Sequence, residues 1–287
     1  MPLPDLPLDF QLPPAWRELE EADLRGTLML VGAADSGKSV LTRWLWDRAL
    51  ACGRRPAWLD ADVGQSSLGI PGTLNLVLAG QEGLVHCGFF IGNSSPKGHM
   101  LPVLTGLARL CRRARSLGAD PLLIDTSGLV DAASGGGALK QWEAELLAPL
   151  KLVALQRERE LGHLLGPWLR DPRLRLRLLP VSEGVRRRDP EQRARRRSRL
   201  FARYFEGAAP FSVSLRQLAI YGWDQAQPGS LAGLIDGEGL LLRAALVRGR
   251  TDESLELLGP IPSLAGAAAL RIGRLRLDPR TGEELRG

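Results

Sequence analysis

Lysine is nearly missing from this chain: its basic residues are 34 arginines and 4 lysines, at positions 38, 97, 140 and 151. Cysteine is scarce as well. Cys52, Cys87 and Cys111 are odd in number and show no CxxC spacing, which excludes a disulfide framework and a structural zinc site and fits a reducing compartment. No run of about 18 uncharged apolar residues exists, so a transmembrane helix is excluded. The opening MPLPDLPLDFQLPP has prolines and acids where a signal peptide needs basic residues and an apolar core, so a cytoplasmic protein is expected. What remains is ordinary globular material. The 287 residues are 44% hydrophobic and 24% charged, enough for one large or two modest domains with a real core.

The net charge of +6 is not spread evenly. Residues 186–203 read RRRDPEQRARRRSRLFAR, with nine arginines against Asp189 and Glu191, a local +7. The remainder of the chain is therefore close to neutral. Taken alone, such a run reads as a solvated helix face or as a bias toward arginine. A polyanionic partner is the sharper reading.

Strand and helix patterns alternate through the first two thirds. Apolar runs at 26–31, 56–60, 85–91, 121–125 and 151–155 read as strands. Helical spacing occupies 40–51, 101–117, 139–147 and 158–169, and 174–179 alternates Leu with Arg like an edge strand. In the helix at 40–51 Trp44 and Trp46 cannot share a face, and Trp44 is expected in the core. Strands alternating with helices imply a doubly wound α/β fold with a mostly parallel sheet. After residue 208 the helical period disappears. Runs at 211–221, 240–247, 254–258 and 269–277 read as a small all-β domain, a barrel or a sandwich, with a bulge where the alternation slips at Gly273-Arg274. The expected organisation is a lead-in over 1–24, a P-loop domain over 25–207 with an arginine-rich lid at 184–207, and the β domain over 208–287.

Gly32-Ala33-Ala34-Asp35-Ser36-Gly37-Lys38-Ser39 matches G-x-x-x-x-G-K-[ST], with an apolar strand running in and an amphipathic helix beginning at Val40. Glycines let backbone N–H groups curl round a phosphate, and the helix N-terminus adds partial positive charge. Residues 32–40 are thus the expected ATP cradle. Lys38 is placed to reach the β/γ-phosphates and Ser39 to ligate Mg²⁺. Asp60 and Asp62 follow the second strand in LDADVGQ, and Asp125 ends the strand LLID. Ligands of open α/β sheets bind at such strand ends. Asp125 fits an acid that holds Mg²⁺. Either Asp60 or Asp62 fits a base for an attacking hydroxyl. Thr126-Ser127-Gly128 offers hydroxyls and N–H groups to a phosphate.

In order along the chain, these features resemble the Clp1/Grc3/Nol9 family of polynucleotide 5′-hydroxyl kinases. The residues that carry the resemblance are the P-loop, Asp60-Ala-Asp62-Val-Gly64-Gln65 with Ile70-Pro71-Gly72 behind it, and Gly92-Asn-Ser-Ser95-Pro96. Thr126-Ser-Gly128 and an arginine-bearing lid closed by Tyr204-Phe205-Glu-Gly207 complete the set. The resemblance implies transfer of the ATP γ-phosphate to the 5′-OH of single-stranded RNA or DNA. It makes Asp62 the base and Thr126 part of a clasp on the acceptor. It places Arg188, Arg193 and Arg197 on ATP in the transition state, leaving Arg186, Arg187, Arg195, Arg196 and Arg199 as polynucleotide contacts or solvated charge. Gln65, Ser95 and Ser127 fall in motifs expected to meet the acceptor. The family usually has Trp after T-x-G, where this chain has Leu129, which can pack against a base but offers no π-face. A compact prokaryotic-type member is the expected form. An ATP-bound, non-catalytic RNA-processing scaffold and a generic P-loop ATPase stand as the alternative readings.

Overall fold

A computed structural model describes residues 3–6, 11–19, 21–148, 150–260 and 262–285. Within the expected lead-in, residues 1–2, 7–10 and 20 lie outside the described residues. The elements run α1 (Pro14–Arg17), β1 (Thr27–Gly32), α2 (Lys38–Ala51), β2 (Ala57–Ala61), β3 (Thr73–Ala79), β4 (Leu84–Phe90) and α3 (Met100–Ser116). Then come β5 (Leu122–Thr126), α4 (Gly136–Leu147), β6 (Leu150–Gln156), α5 (Gly162–Trp168), β7 (Leu174–Pro180) and α6 (Pro190–Phe205). The chain finishes with β8 (Ala209–Ser214), β9 (Ala219–Tyr221), β10 (Ser230–Asp236), β11 (Leu241–Arg250), β12 (Ser254–Gly259) and β13 (Ala267–Arg276). No helix among the described residues is long and apolar enough to cross a membrane.

The residues group into two compact units that the chain visits alternately. One comprises Met1–Asp62, Asn75–His86 and Pro96–Arg188; the other comprises Val63–Leu74, Cys87–Ser95 and Asp189–Gly287. Sequence alone placed the division at 207/208, whereas α6 groups with the C-terminal strands.

In the first unit the strand order is β7-β6-β1-β5-β2-β3. The first five are mutually parallel and β3 runs antiparallel to β2. Every residue of β2 and β5 is buried, which is why these strands read as continuous apolar runs rather than alternating ones. β7 is the edge strand its Leu-Arg alternation announced. β3 was not legible: most of TLNLVLA is buried, so no period-2 signal survives. The helix expected over 158–169 is shorter, because the Glu160 carboxylate accepts the N–H groups of Arg157 and Glu158 and holds a turn there. The tryptophan expectation is reversed on α2. Leu41, Thr42, Leu45, Trp46 and Ala49 form its buried face, while half-buried Trp44 lies under the Arg48 guanidinium at 4.8 Å.

The second unit is a ladder ordered β9-β13-β10-β11-β12-β8. β13·β9 is its parallel pair. Among the described residues β8 and β9 do not pair with each other, so the ladder does not close into a barrel, one of the two forms expected. The run expected over 211–221 is two strands, split by a turn in which Gln217 N–H donates to Ser214 O at 2.9 Å. β10 was also missed, although it is central and almost wholly buried. The expected slip near Gly273 is present: one residue of β10, Leu231, faces three of β13, 273–275, between the pairs Ala232↔Ile272 and Ser230↔Arg276. α6 lays Phe201 and Phe205 into a core with Ile70, Phe90, Leu231, Ile235, Leu246 and Leu277. Tyr204 adds a tether by accepting the Ala244 N–H at 2.8 Å.

Candidate active site

The loop after β1 is shaped by its glycines and tied by its own lysine. Gly37 caps α2 with φ +91°, a conformation that L side chains rarely adopt, and an added Cβ would meet Val185 at 3.2 Å. Trp16 packs against the same spot, fully buried, with its indole N–H donating to Pro180 O at 3.3 Å. Trp16 is therefore a wall of the loop. The Lys38 ammonium turns back into the loop and donates to Gly32 O at 2.8 Å, Ala33 O at 2.9 Å and Ser36 Oγ at 3.4 Å. Burial pushes its pKa down, against the pull of Asp125 and Asp62. Asp35 accepts the Arg188 N–H at 3.0 Å, and Arg157 donates to the Asp35 carbonyl at 3.2 Å.

Two acids stand side by side at the strand ends. Asp60 and Asp125 are direct partners in the β2·β5 register, and both are almost fully buried. Desolvation, then repulsion from Asp60, lifts the Asp125 pKa from the usual 3.8 to about 7, opposed by Lys38 and by a hydrogen bond from Ser39. Asp125 Oδ2 is buried with no hydrogen-bond partner. A hard oxygen with a vacant lone pair, beside a serine hydroxyl at a P-loop, suits Mg²⁺. Asp60 Oδ1 accepts the Asp62 N–H at 3.1 Å and so fixes where Asp62 sits. Asp62 itself is half-buried.

The turn after β5 is tied to the strands and loop beside it. Thr126 is fully buried and its hydroxyl donates to Leu30 O at 2.8 Å, so that proton is committed to β1. Gly128 presses on the phosphate loop: a Cβ there would lie 2.5 Å from Ala34 N and Cα. Any side chain at 128 would push the two loops apart. Ser127 is buried and receives a hydrogen bond from Lys140, a residue that the sequence reading passed over. Leu129 is half-buried.

The first unit thus gathers Lys38, Ser39, Asp60, Asp62, Asp125, Thr126 and Ser127, with Arg188 on Asp35 and Arg187 exposed next to it. Gln65, Ser95, Arg193 and Arg197 belong to the second unit. There Gln65 Nε2 donates to Gly64 O at 3.0 Å, and Ser95 N–H to Asn93 Oδ1 at 2.9 Å. Arg197 pairs with Glu284. Arg196, set aside as an outer arginine, donates to Gln65 O at 2.8 Å and Ser66 O at 2.9 Å and braces the acid-bearing motif's end. Arg193 is half-buried, while Arg195 and Arg199 are exposed. The missed signal was local. Asp189-Pro-Glu-Gln192 is a capping box with proline at the first helical position, and both of its hydrogen bonds form. It starts a regular helix whose period decides which arginines face inward.

Comparison with known proteins agrees with this constellation. Residues 32–207 match the model for the P-loop of the mRNA cleavage and polyadenylation factor CLP1. A polyribonucleotide 5′-hydroxyl-kinase of Thermococcus kodakarensis is 28% identical, over 90% of this chain and 90% of its own length. A CLP1 homolog of Drosophila sechellia is 32% identical over 71% of this chain and 53% of its own. The solved wild-type Clp1p–Pcf11p complex holds a chain of similar fold, with a TM-score of 0.67 and 15% identity over 91% of this chain and 77% of that one. With phosphate loop, strand-end acids and T-x-G turn inside the matched span, the chain belongs to the CLP1 P-loop family.

Proposed function

We propose that this chain is an ATP-dependent polynucleotide 5′-hydroxyl kinase acting on single-stranded RNA or DNA ends. The observation that carries the reading is the group of Lys38, Ser39, Asp125 and Asp62 at one sheet end, in a chain that aligns with an archaeal RNA kinase over nine tenths of both lengths. Residues 32–40 bind the triphosphate, and Lys38 exchanges its loop carbonyls for β/γ-phosphate oxygens. Ser39 and Asp125 would hold Mg²⁺, which neutralises charge on those phosphates when bound. Asp60 supports Asp62, and Asp62, the more accessible of the two, accepts the proton of the attacking 5′-OH. Because the Thr126 hydroxyl is committed to β1, the clasp on phosphate falls to the backbone of 126–128 and to Ser127. Arg188 and Arg193 absorb charge on the transferring phosphoryl, which is where preorganised electrostatics act most strongly. Gln65, Ser95, Leu129 and Arg187 guide the acceptor strand.

The test is transfer of label from γ-labelled ATP to 5′-OH RNA and DNA oligonucleotides, with 5′-phosphorylated oligonucleotides and free nucleosides as controls. Label on 5′-OH ends alone supports the reading. Hydrolysis indifferent to oligonucleotide would favour a plain ATPase, tight ATP binding without turnover a scaffold, and labelled nucleosides a small-molecule kinase.

A further inference from the structure

α4 buries a complete ion pair behind the T-x-G turn. Lys140 and Glu143, one helical turn apart, are both 0% exposed, and Lys140 Nζ lies 2.9 Å from Glu143 Oε2. Taking two charges out of water costs several kcal/mol for each ion, and well-packed apolar residues in their place usually hold a fold as firmly. Glu143 is not fully served by its partner: its Oε1 is buried with no hydrogen-bond partner, and burial raises its pKa. The pair points to a target instead. Lys140 Nζ also donates to Ser127 Oγ at 3.2 Å. A hydroxyl that accepts from an ammonium keeps its own proton for donation. Ser127 sits next to Gly128, which abuts Ala34 of the phosphate loop. The charge of Lys140 is felt at Lys38, where it opposes protonation.

We propose that Lys140, braced by Glu143, is a positioning residue that fixes the Ser127 hydroxyl as a hydrogen-bond donor to a phosphate held on the 32–39 loop. The identity of the phosphate as part of ATP or of the acceptor strand rests on the kinase reading; the device itself does not. In an arginine-dominated chain, lysine suits the place because its compact ammonium shares three donors among close partners, whereas a guanidinium is a wide planar fork.

The decisive variant replaces the pair as a unit, Lys140→Met with Glu143→Leu, which leaves no orphan charge. Three readouts are taken on it, on Ser127→Ala and on the triple variant: melting temperature, affinity for a non-hydrolysable ATP analogue, and kcat with a 5′-OH oligonucleotide. The pair variant is expected to melt at or above the wild-type temperature while analogue affinity or kcat falls about tenfold or more. Ser127→Ala is expected to show a loss of the same kind, and the triple variant no more than the larger single loss. A folded pair variant with wild-type affinity and kcat overturns the proposal, and so do losses that simply multiply in the triple variant. Should the wild type transfer no phosphate, the kinase reading fails, and analogue affinity still decides the role of Lys140.

Discussion

The phosphate-loop end of the first unit and helix α6 of the second handle charge in opposite ways. The first holds a few charges, Lys38, Asp60, Asp125, Lys140 and Glu143, nearly all stripped of water. The proton affinities of Lys38, Asp125 and Glu143 move because each lacks solvent and has a charged neighbour. Helix α6 and its approach hold many charges, nine arginines in 18 residues, and most stay wet or share a surface carboxylate, as Arg195 does with Glu191. Exposed pairs of that kind contribute about 0–1 kcal/mol and weaken in salt. Few, dry charges suit chemistry on a phosphoryl group; many, wet ones suit attraction of a long polyanion. The number of charges in a region is thus a poor guide to what each one does.

This contrast can be broken experimentally. The largest effect is expected from Lys38→Ala, which should lower phosphoryl transfer to a 5′-OH oligonucleotide on the order of 10³-fold or more with the fold intact by circular dichroism. Substantial turnover in that variant would remove the phosphate loop from the reaction. Within the arginine helix, half-buried Arg193 should differ from exposed Arg199. Arg193→Ala is expected to reduce kcat on the order of 10²-fold and Arg199→Ala hardly at all, and equal losses would erase the distinction.

A third expectation concerns pH. The fold raises the Asp125 pKa to about 7 from 3.8, so between those values the native state holds a proton that the unfolded chain has released. The contribution of this group to stability is therefore complete at low pH and is lost as pH rises toward about 7. Asp125→Asn, measured without nucleotide, should flatten the fall in melting temperature between pH 5 and pH 8, raise stability at pH 8 and abolish transfer. Parallel melting curves for the two proteins would show that Asp125 is ionised throughout that range. The smallest effect belongs to the wet charges. Arg186→Ala with Arg187→Ala should leave kcat unchanged at saturation and lower the slope of log affinity for single-stranded polynucleotide against log salt by ~0.7 per arginine. An unchanged slope would return those arginines to plain solvated charge.

Legibility followed locality. The glycine loop with its strand and helix, the acids that end β2 and β5, and the edge character of β7 are written in short stretches of neighbouring residues, and they stand where they were expected. β3 and β10 were missed because burial on both sides erases alternation. The start of α6 was readable in Asp189-Pro-Glu-Gln192 and was overlooked in favour of its charge.

Residues 32–39 announce a phosphate loop before any fold is known, since glycine spacing, lysine and serine act on a ligand through their own backbone and side chains. Other assignments waited for partners far along the chain. Trp46 rather than Trp44 is in the core because of the face α2 turns to its sheet. Thr126 gives its proton to Leu30, 96 residues away. Arg196 braces the backbone at 65–66, about 130 residues away, and Arg197 pairs with Glu284. Lys140 looked like any helix lysine until α4 was seen to bury it against Ser127. A motif that carries its chemistry within eight residues survives as sequence; the worth of a single charge depends on its solvent and its nearest opposite charge, and only the folded chain sets those.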